Sequence, residues 1–321
     1  MQSFGLSPEG EVIQCFELIG GGLTAHILTW GGVLQDLYLA GVPYSLVLGF
    51  TDLQGYLNSK AYIGGNVGRF ANRIAQGRAK IAGQIYQLDR NFLGKHLLHG
   101  GRVGSDQQVW TVIAHTPSTL SLALNLADGQ MGFPGTLTVI LQYRLLAEAS
   151  LEVEFTATTT AATLCSFAHH SYFNLDGAGS IQNHQLQIDA DYYLPVDTEA
   201  IPTGEIARVE GTAFDFRELK PIDWQQSHYD HNFCTSYRSQ ALRPVAVLRG
   251  QSGVSMQLAT TEPGLQFYDG QYLDGGYAAY AGLALEPQAW PDAPNHAHFP
   301  SAELWPEQIY RQLTRYSFSV S

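Results

Sequence analysis

The feature that most constrains this chain is a strict two-residue alternation through its middle. Leu120, Leu122, Leu124 and Leu126 alternate with Ser121, Ala123 and Asn125. Leu137, Val139, Leu141, Tyr143 and Leu145 repeat the pattern, and Leu151, Val153 and Phe155 alternate with Glu152 and Glu154. Successive side chains of an extended strand point to opposite faces, so each run predicts a strand with one buried face and one at least partly wet. Asp128-Gly129 and Pro134-Gly135 supply turns between them, and the expected product is an antiparallel meander.

The same grammar extends in both directions. From Glu11 to Leu39, short apolar runs are cut by Gly20-Gly21-Gly22 and Gly31-Gly32, which favours strands and tight turns over helices. Leu186 and Ile188 continue the alternation, and further strands are expected at Val245 to Leu248, Val254 to Ala259, Leu265 to Tyr268 and Leu283 to Leu285. In the last of these, Leu283 and Leu285 would face one way and Ala284 and Glu286 the other, so Glu286 would emerge on the open face at the strand end, just before Pro287. Between Ile201 and Asp223, aromatic anchors at Phe214 and Phe216 predict an ordered loop. Helical periodicity is weak, with short helices expected only near Thr51 to Leu57 and Phe299 to Ala302. The 33 glycines and 14 prolines are spread along the chain as turns, and no repeat or composition break marks a boundary. The expectation is an all-β fold, a large antiparallel β-sandwich formed by residues 1–321 as a single domain.

Charge narrows the partners. A net charge of -12 argues against nucleic acid and anionic membranes, both of which need Lys and Arg to neutralise phosphate. Cys15, Cys165 and Cys234 form neither a disulfide framework nor a CxxC knuckle. With no basic, apolar leader at Met1 to Gly10, the expectation is a cytoplasmic protein with reduced thiols, a monomer or weak homodimer.

Several polar clusters interrupt this apolar pattern. His169 and His170 are adjacent on extended backbone, so only one of them should face a given pocket. The glycine-rich passage Gly64 to Ile74 lacks the Gly-Lys-Ser/Thr ending of a phosphate loop, but it carries Asn72-Arg73, an amide beside a planar fork of donors suited to several hydroxyls. His99 precedes Gly100-Gly101, where the lack of Cβ atoms permits close approach. Tyr229 to Phe233 encloses Asp230 and His231. A zinc site assembled from His169, His170, His184, His296 and His298 is the rival reading, but no HExxH or comparable spacing supports it.

Taken in order, Gly68-Arg69-Phe70-Ala71-Asn72-Arg73-Ile74, Leu98-His99-Gly100-Gly101, His170-Ser171-Tyr172-Phe173-Asn174-Leu175, Tyr229-Asp230-His231-Asn232-Phe233, Thr261-Glu262-Pro263-Gly264-Leu265-Gln266-Phe267-Tyr268 and Leu285-Glu286-Pro287-Gln288 resemble the aldose 1-epimerase (galactose mutarotase) family over nearly the whole chain. The resemblance implies a β-sandwich with an open sugar cleft and interconversion of the α and β anomers of free aldohexoses such as galactose or glucose. It implies Glu286 as general base, His170 as general acid, His99 as an aid near the ring oxygen, and Asn72, Arg73, Asp230 and Gln266 as holders of hydroxyls. No metal and no organic cofactor belong to that picture.

Ring opening needs a base on the C1 hydroxyl and an acid at the ring oxygen. A carboxylate and an imidazole on opposite sides of the sugar would supply them, with Glu286 ionised and His170 protonated in the reactive complex. Trp290, Trp110 and Phe299 are candidates to pack on the sugar's apolar face, with core packing as the alternative for each. The chain departs from the family pattern at Ala168-His169, where Thr-Asn is usual, at Pro287, where Thr is common, and at Pro306-Glu307, where the family has Pro-Gly. Two alternatives stand beside the epimerase reading. One is a non-catalytic carbohydrate-binding protein. The other is an epimerase of a hexose 6-phosphate, which the acidic balance and the lack of an Arg/Lys cluster disfavour.

Overall fold

The computed structural model describes residues 2–223 and 226–320. The alternating runs form the centre of a nine-stranded antiparallel sheet. Thr119–Leu126 pairs with Leu137–Leu146, which pairs with Ser150–Thr159, and the C-terminal strand Tyr310–Val320 lies beside the last of these. The sheet continues through Val254–Thr260, Arg243–Arg249 and Gln185–Ile188. Leu122 stands opposite Leu141, and Leu141 opposite Phe155, so the register places the alternating apolar set on one face.

The opposite face is drier than the alternation predicts. Glu152 and Glu154 are buried because Arg144, Arg311 and Arg315 lie across them. Five charges thus form a ladder over adjacent strands, and their aliphatic stems cover the sheet.

A six-stranded sheet carries the later motifs. Its order runs Tyr172–Phe173, Leu283–Gln288, Gly264–Tyr268, Asp230–Cys234, Tyr192–Tyr193 and Ala207–Arg208. Leu265, Phe267, Leu283 and Leu285 of this sheet share one core with Leu141, Val153, Phe155 and Leu258 of the larger sheet. Two sheets packed through one apolar layer make the expected sandwich. Parity then sends Gln266 and Glu286 to the face away from that core. A separate four-stranded sheet, Gln2–Leu6, Val12–Gly20, Leu23–Leu28 and Leu34–Leu39, comes from the glycine-punctuated N-terminal runs.

Two expectations need correction. The helix near Thr51 to Leu57 is present as Leu53–Asn58, with Asp52 accepting from the Gly55 N–H at 2.9 Å as its N-cap. The one expected at Phe299 to Ala302 is absent. The chain there instead leads into the strand Glu303–Leu304, paired with Thr163–Leu164. The strand Leu283–Gln288 also runs past its expected end, with Pro287 opposite Leu265, so Glu286 lies inside the ladder and not at its tip. The loop from Ile201 to Asp223 is ordered as expected, with Phe214 stacked on Tyr193 at 4.3 Å and Phe216 buried. The three cysteines are buried and free. No described helix is long and apolar enough to cross a membrane.

Candidate active site

The polar face of the six-stranded sheet brings three of the expected site residues together through register alone. Gln266 pairs with Glu286, and Asp230 lies two residues along from Asn232, the other neighbour of Gln266. Three strands therefore project Glu286, Gln266 and Asp230 from one face. The Gln266 amide donates to Asp230 Oδ1 at 2.6 Å, while Arg73 Nη2 donates to Asp230 Oδ2 at 3.0 Å. Gln266 is thus first a positioner of Asp230. Its own Oε1 is buried without a partner.

Loops supply the opposite wall. A short ladder joins Arg73–Ile74 to Leu97–Leu98, which brings Asn72 against His99. The Asn72 N–H donates to His99 Nδ1 at 3.1 Å, and the His99 N–H donates to the Asn72 carbonyl at 3.0 Å. Tyr62, Asn72 and His99 all have positive φ, at 56°, 65° and 50°. Left-handed backbone is costly for such residues, and three of them around one cleft mark a site whose geometry is held by its surroundings. Gly100 shows how close the approach is: a Cβ there would fall 1.9 Å from the Gly68 carbonyl oxygen.

The alternation expected of the two adjacent histidines holds. His170 lines the cleft. His169 points into the protein, where Nδ1 meets Asn66 Oδ1 at 3.0 Å and Nε2 meets Ser171 Oγ at 2.8 Å. The Ala168-His169 departure therefore lies behind the site, in a satisfied buried network.

His170 Nε2 is 3.7 Å from Glu286 Oε1, and both side chains are almost fully buried. Burial, with Asp230 adding to it, pushes the Glu286 carboxyl up to about 8. Burial lowers His170 to about 4 and takes His99 well below its ordinary value, with the His170 and Arg73 charges also acting against the His99 cation. Asp230 behaves oppositely: burial would raise it, but the Arg73 charge and the hydrogen bonds from Arg73 and Gln266 hold it down. Burial thus favours a protonated Glu286 and a neutral His170 in the free protein, the reverse of the ionisation expected of the reactive complex. The pair holds one proton in either arrangement.

The cleft has a volume of about 170 Å³. Asn72, Arg73, His99, His170, Asp230 and Glu286 line it together. His170 Nδ1, Glu286 Oε2 and Arg73 Nε are buried without hydrogen-bond partners. Unpaired buried polar groups are costly, and three of them on side chains of one cleft mark a place kept polar against that cost.

The aromatic assignments are corrected. Trp110 donates to the Ser105 carbonyl in the core, and Trp290 donates to the Pro263 carbonyl and packs on Phe299. None of the three lines the cleft. Its aromatic surface comes from Tyr62, Phe92, Tyr172, Tyr268 and Tyr272. Tyr172 and Tyr268 sit inside motifs read from the sequence, whereas Tyr62 and Phe92 carried no local signal.

The zinc grouping expected as a rival does not assemble. His184 Nε2 accepts from the Leu175 N–H, and His298 bonds the Gly204 carbonyl elsewhere. Among the described residues, the ligating atoms of His99, His170 and Glu286 do lie within 4.8 Å of one another. His99 is poorly prepared for such a role, because Nδ1 accepts a backbone N–H and the ring proton of the neutral imidazole then sits on Nε2. Ligating histidines ordinarily donate from the outer nitrogen.

Comparison with known proteins gives the class. Residues 14–317 match the aldose 1-epimerase family model. Galactose mutarotase from Bos taurus is 40% identical, covering 99% of this chain and 98% of that protein. Aldose 1-epimerase from Escherichia coli strain K12 is 35% identical, with 98% and 97% covered. The structure of an aldose epimerase homologue from C. elegans superposes with a TM-score of 0.90 at 30% identity, covering 96% of this chain and 99% of that one. This chain belongs to the aldose 1-epimerase family. Its activity is accordingly that of an isomerase, a mutarotase acting on small-molecule aldoses.

Proposed function

We propose that the protein interconverts the α and β anomers of free aldohexoses, galactose or glucose among them, with Glu286 and His170 exchanging protons with the sugar. The observation that carries this reading is the adjacency of one carboxyl and one imidazole in a cleft that Arg73, His99 and Asp230 also line.

Adjacency suits the reaction better than a position on each side of the ring. The two oxygens that exchange protons, the C1 hydroxyl and the ring oxygen, are bonded to the same carbon. Groups 3.7 Å apart can address both. Opening requires the carboxylate to take the hydroxyl proton while the imidazolium protonates the ring oxygen. Moving the shared proton from Glu286 to His170 creates that pair without changing the charge of the site. Rotation about C1–C2 exposes the other carbonyl face, and reclosure returns both protons. Each transfer contributes on the order of 10²- to 10⁴-fold.

His99, with its proton on Nε2, is a neutral donor beside His170, the ring centroids 5.3 Å apart. It steadies charge at the ring oxygen as the bond breaks. Arg73 and Asp230 form the hydroxyl-binding arm, and Asn72 holds His99 from behind while lining the cleft. Optical rotation tests the reading. The wild-type protein speeds the approach of fresh α-D-galactose and α-D-glucose to the same final rotation, and failure with both sugars by folded protein would remove it.

A further inference from the structure

The Arg73 guanidinium makes one hydrogen bond among the described residues, from Nη2 to Asp230 Oδ2 at 3.0 Å, and its buried Nε has no partner. One such bond fixes a point and leaves the plane of the fork free to turn about it. The plane matters, because a fork of donors recognises a hydroxyl only in the directions its N–H groups point. An aromatic face lies against it: Arg73 Cζ is 4.7 Å from the centroid of the Phe92 ring, and Phe92 also lines the cleft. A cation over a ring face within about 6 Å is attracted by the ring quadrupole, and the flat guanidinium stacks there as an ammonium cannot.

Register and a tight turn deliver the ring to that place. Leu98 is the strand partner of Arg73. Asn91 grips Leu98: its Nδ2 donates to the Leu98 carbonyl at 2.9 Å, and its Oδ1 accepts from the Leu98 N–H at 2.8 Å. Phe92, one residue on, opens the turn. The Lys95 N–H donates to its carbonyl at 3.0 Å, and Phe92 and His96 exchange backbone bonds at 2.9 Å in each direction. Leu93 and Gly94 have φ of 52° and 66°, both positive as in a primed turn. The far side is pinned as well. Glu199 accepts from Lys95 Nζ and lies 3.2 Å from His96 Nε2, while His96 Nδ1 accepts from the Gln76 N–H at 3.1 Å. Phe92 is thus a half-buried residue of a braced hairpin, and that hairpin is tied to the strand partner of Arg73.

We propose that Phe92 is a positioning residue of the reaction: its ring face holds the Arg73 guanidinium in the plane from which Arg73, with Asp230, binds the sugar hydroxyls. The inference rests on the hydroxyl-binding role proposed above for Arg73. Phe92 then acts on substrate binding and not on the proton transfers, because the hydroxyls held by this arm stay intact while the ring opens. A leucine fills much of the same space and lacks the quadrupole, whereas a tyrosine keeps the face.

The test follows mutarotation of α-D-galactose by wild-type, Phe92→Leu, Phe92→Tyr, Arg73→Met and doubly substituted Phe92→Leu, Arg73→Met proteins, with circular dichroism to verify folding. Phe92→Leu raises KM about three- to tenfold, the range of a partly desolvated cation–π contact, and leaves kcat within about twofold. Phe92→Tyr keeps the ring face and restores KM. In the Arg73→Met background, Phe92→Leu changes KM by less than about twofold, since the group it positions is gone. An unchanged KM in Phe92→Leu, a failure of Phe92→Tyr to restore it, or an equal further rise in the Arg73→Met background would overturn the proposal. The last of these would show the ring acting on the sugar or the loop in its own right, and all three leave the epimerase reading standing. An unchanged KM in Arg73→Met would remove the hydroxyl-binding role and this proposal with it. Failure of folded wild type with both galactose and glucose would instead remove the epimerase reading as well.

Discussion

At the scale of single residues, the proposed reaction takes its pH window from the protonation of two side chains. The Glu286–His170 pair holds one proton between about 4, where His170 gains a second, and about 8, where Glu286 loses the first. The dependence of kcat/KM on pH, corrected for spontaneous mutarotation, is therefore expected to be level between those values and to fall on both sides, since that parameter reports the free protein. A profile falling through pH 6 would contradict the burial argument. Gly100 gives a prediction about stability. Its φ of 84° and the 1.9 Å approach of a Cβ to the Gly68 oxygen leave no room for alanine. Gly100→Ala should cost at least about 2 kcal/mol in urea unfolding, because strain and overpacking add. It should also lower kcat, as the neighbouring His99 shifts. An unaltered midpoint would show that the loop relaxes freely.

At the scale of elements, register does most of the assembly. Glu286, Gln266 and Asp230 are far apart in sequence and adjacent because three antiparallel strands share one pleat. The donation from Gln266 to Asp230 makes a distinction that can be measured. Gln266→Leu should leave Asp230 Oδ1 without its partner and raise KM for galactose, with kcat/KM falling by roughly 5- to 150-fold for a loss of about 1–3 kcal/mol. A change confined to kcat would place Gln266 in the proton transfers instead.

Such strands were legible in the sequence because period two is a local signal. Leu283 and Leu285 are apolar where Glu286 is not, and this alone predicts which way Glu286 faces. The outward orientation of His170 and the inward one of His169 follow from the same parity. The end of that strand was not legible, since Pro287 reads as a terminator while its neighbours keep the pairing. The buried state of Glu152 and Glu154 was hidden as well, because it depends on arginines contributed by another strand, Tyr310–Val320. The cleft's aromatic lining was misread for a related reason. Tyr62 and Phe92 reach the site through irregular loops, whereas Trp110 and Trp290 attract attention by size and are held in the core by indole hydrogen bonds to backbone carbonyls.

At the scale of the whole molecule, Glu262 is an acid buried away from the cleft with its titration shifted by that burial. Burial raises Glu262 to about 8, against an unfolded value near 4.5. The folded state then binds the proton more tightly. This contribution is fully present below about pH 4.5 and is lost as pH rises through about 8. Glu262→Gln should therefore flatten the fall of Tm between about pH 4.5 and 8, and an identical slope in the variant would show that Glu262 ionises without cost. We further propose that residues 1–321 fold as one unit, since the two large sheets share a continuous core. A single calorimetric transition, with equal calorimetric and van't Hoff enthalpies, is the expected behaviour, and two resolved transitions would exclude it.

The measurement closest to the central claim is optical rotation of fresh α-D-galactose with wild-type, Glu286→Gln and His170→Gln proteins, each verified as folded. Both substitutions approximately preserve shape while removing the carboxyl or the imidazole proposed to move the proton. The account predicts rapid equilibration with wild type and a loss on the order of 10²-fold or more in kcat for each variant. Substantial turnover by Glu286→Gln would contradict it, because an amide cannot serve as the base.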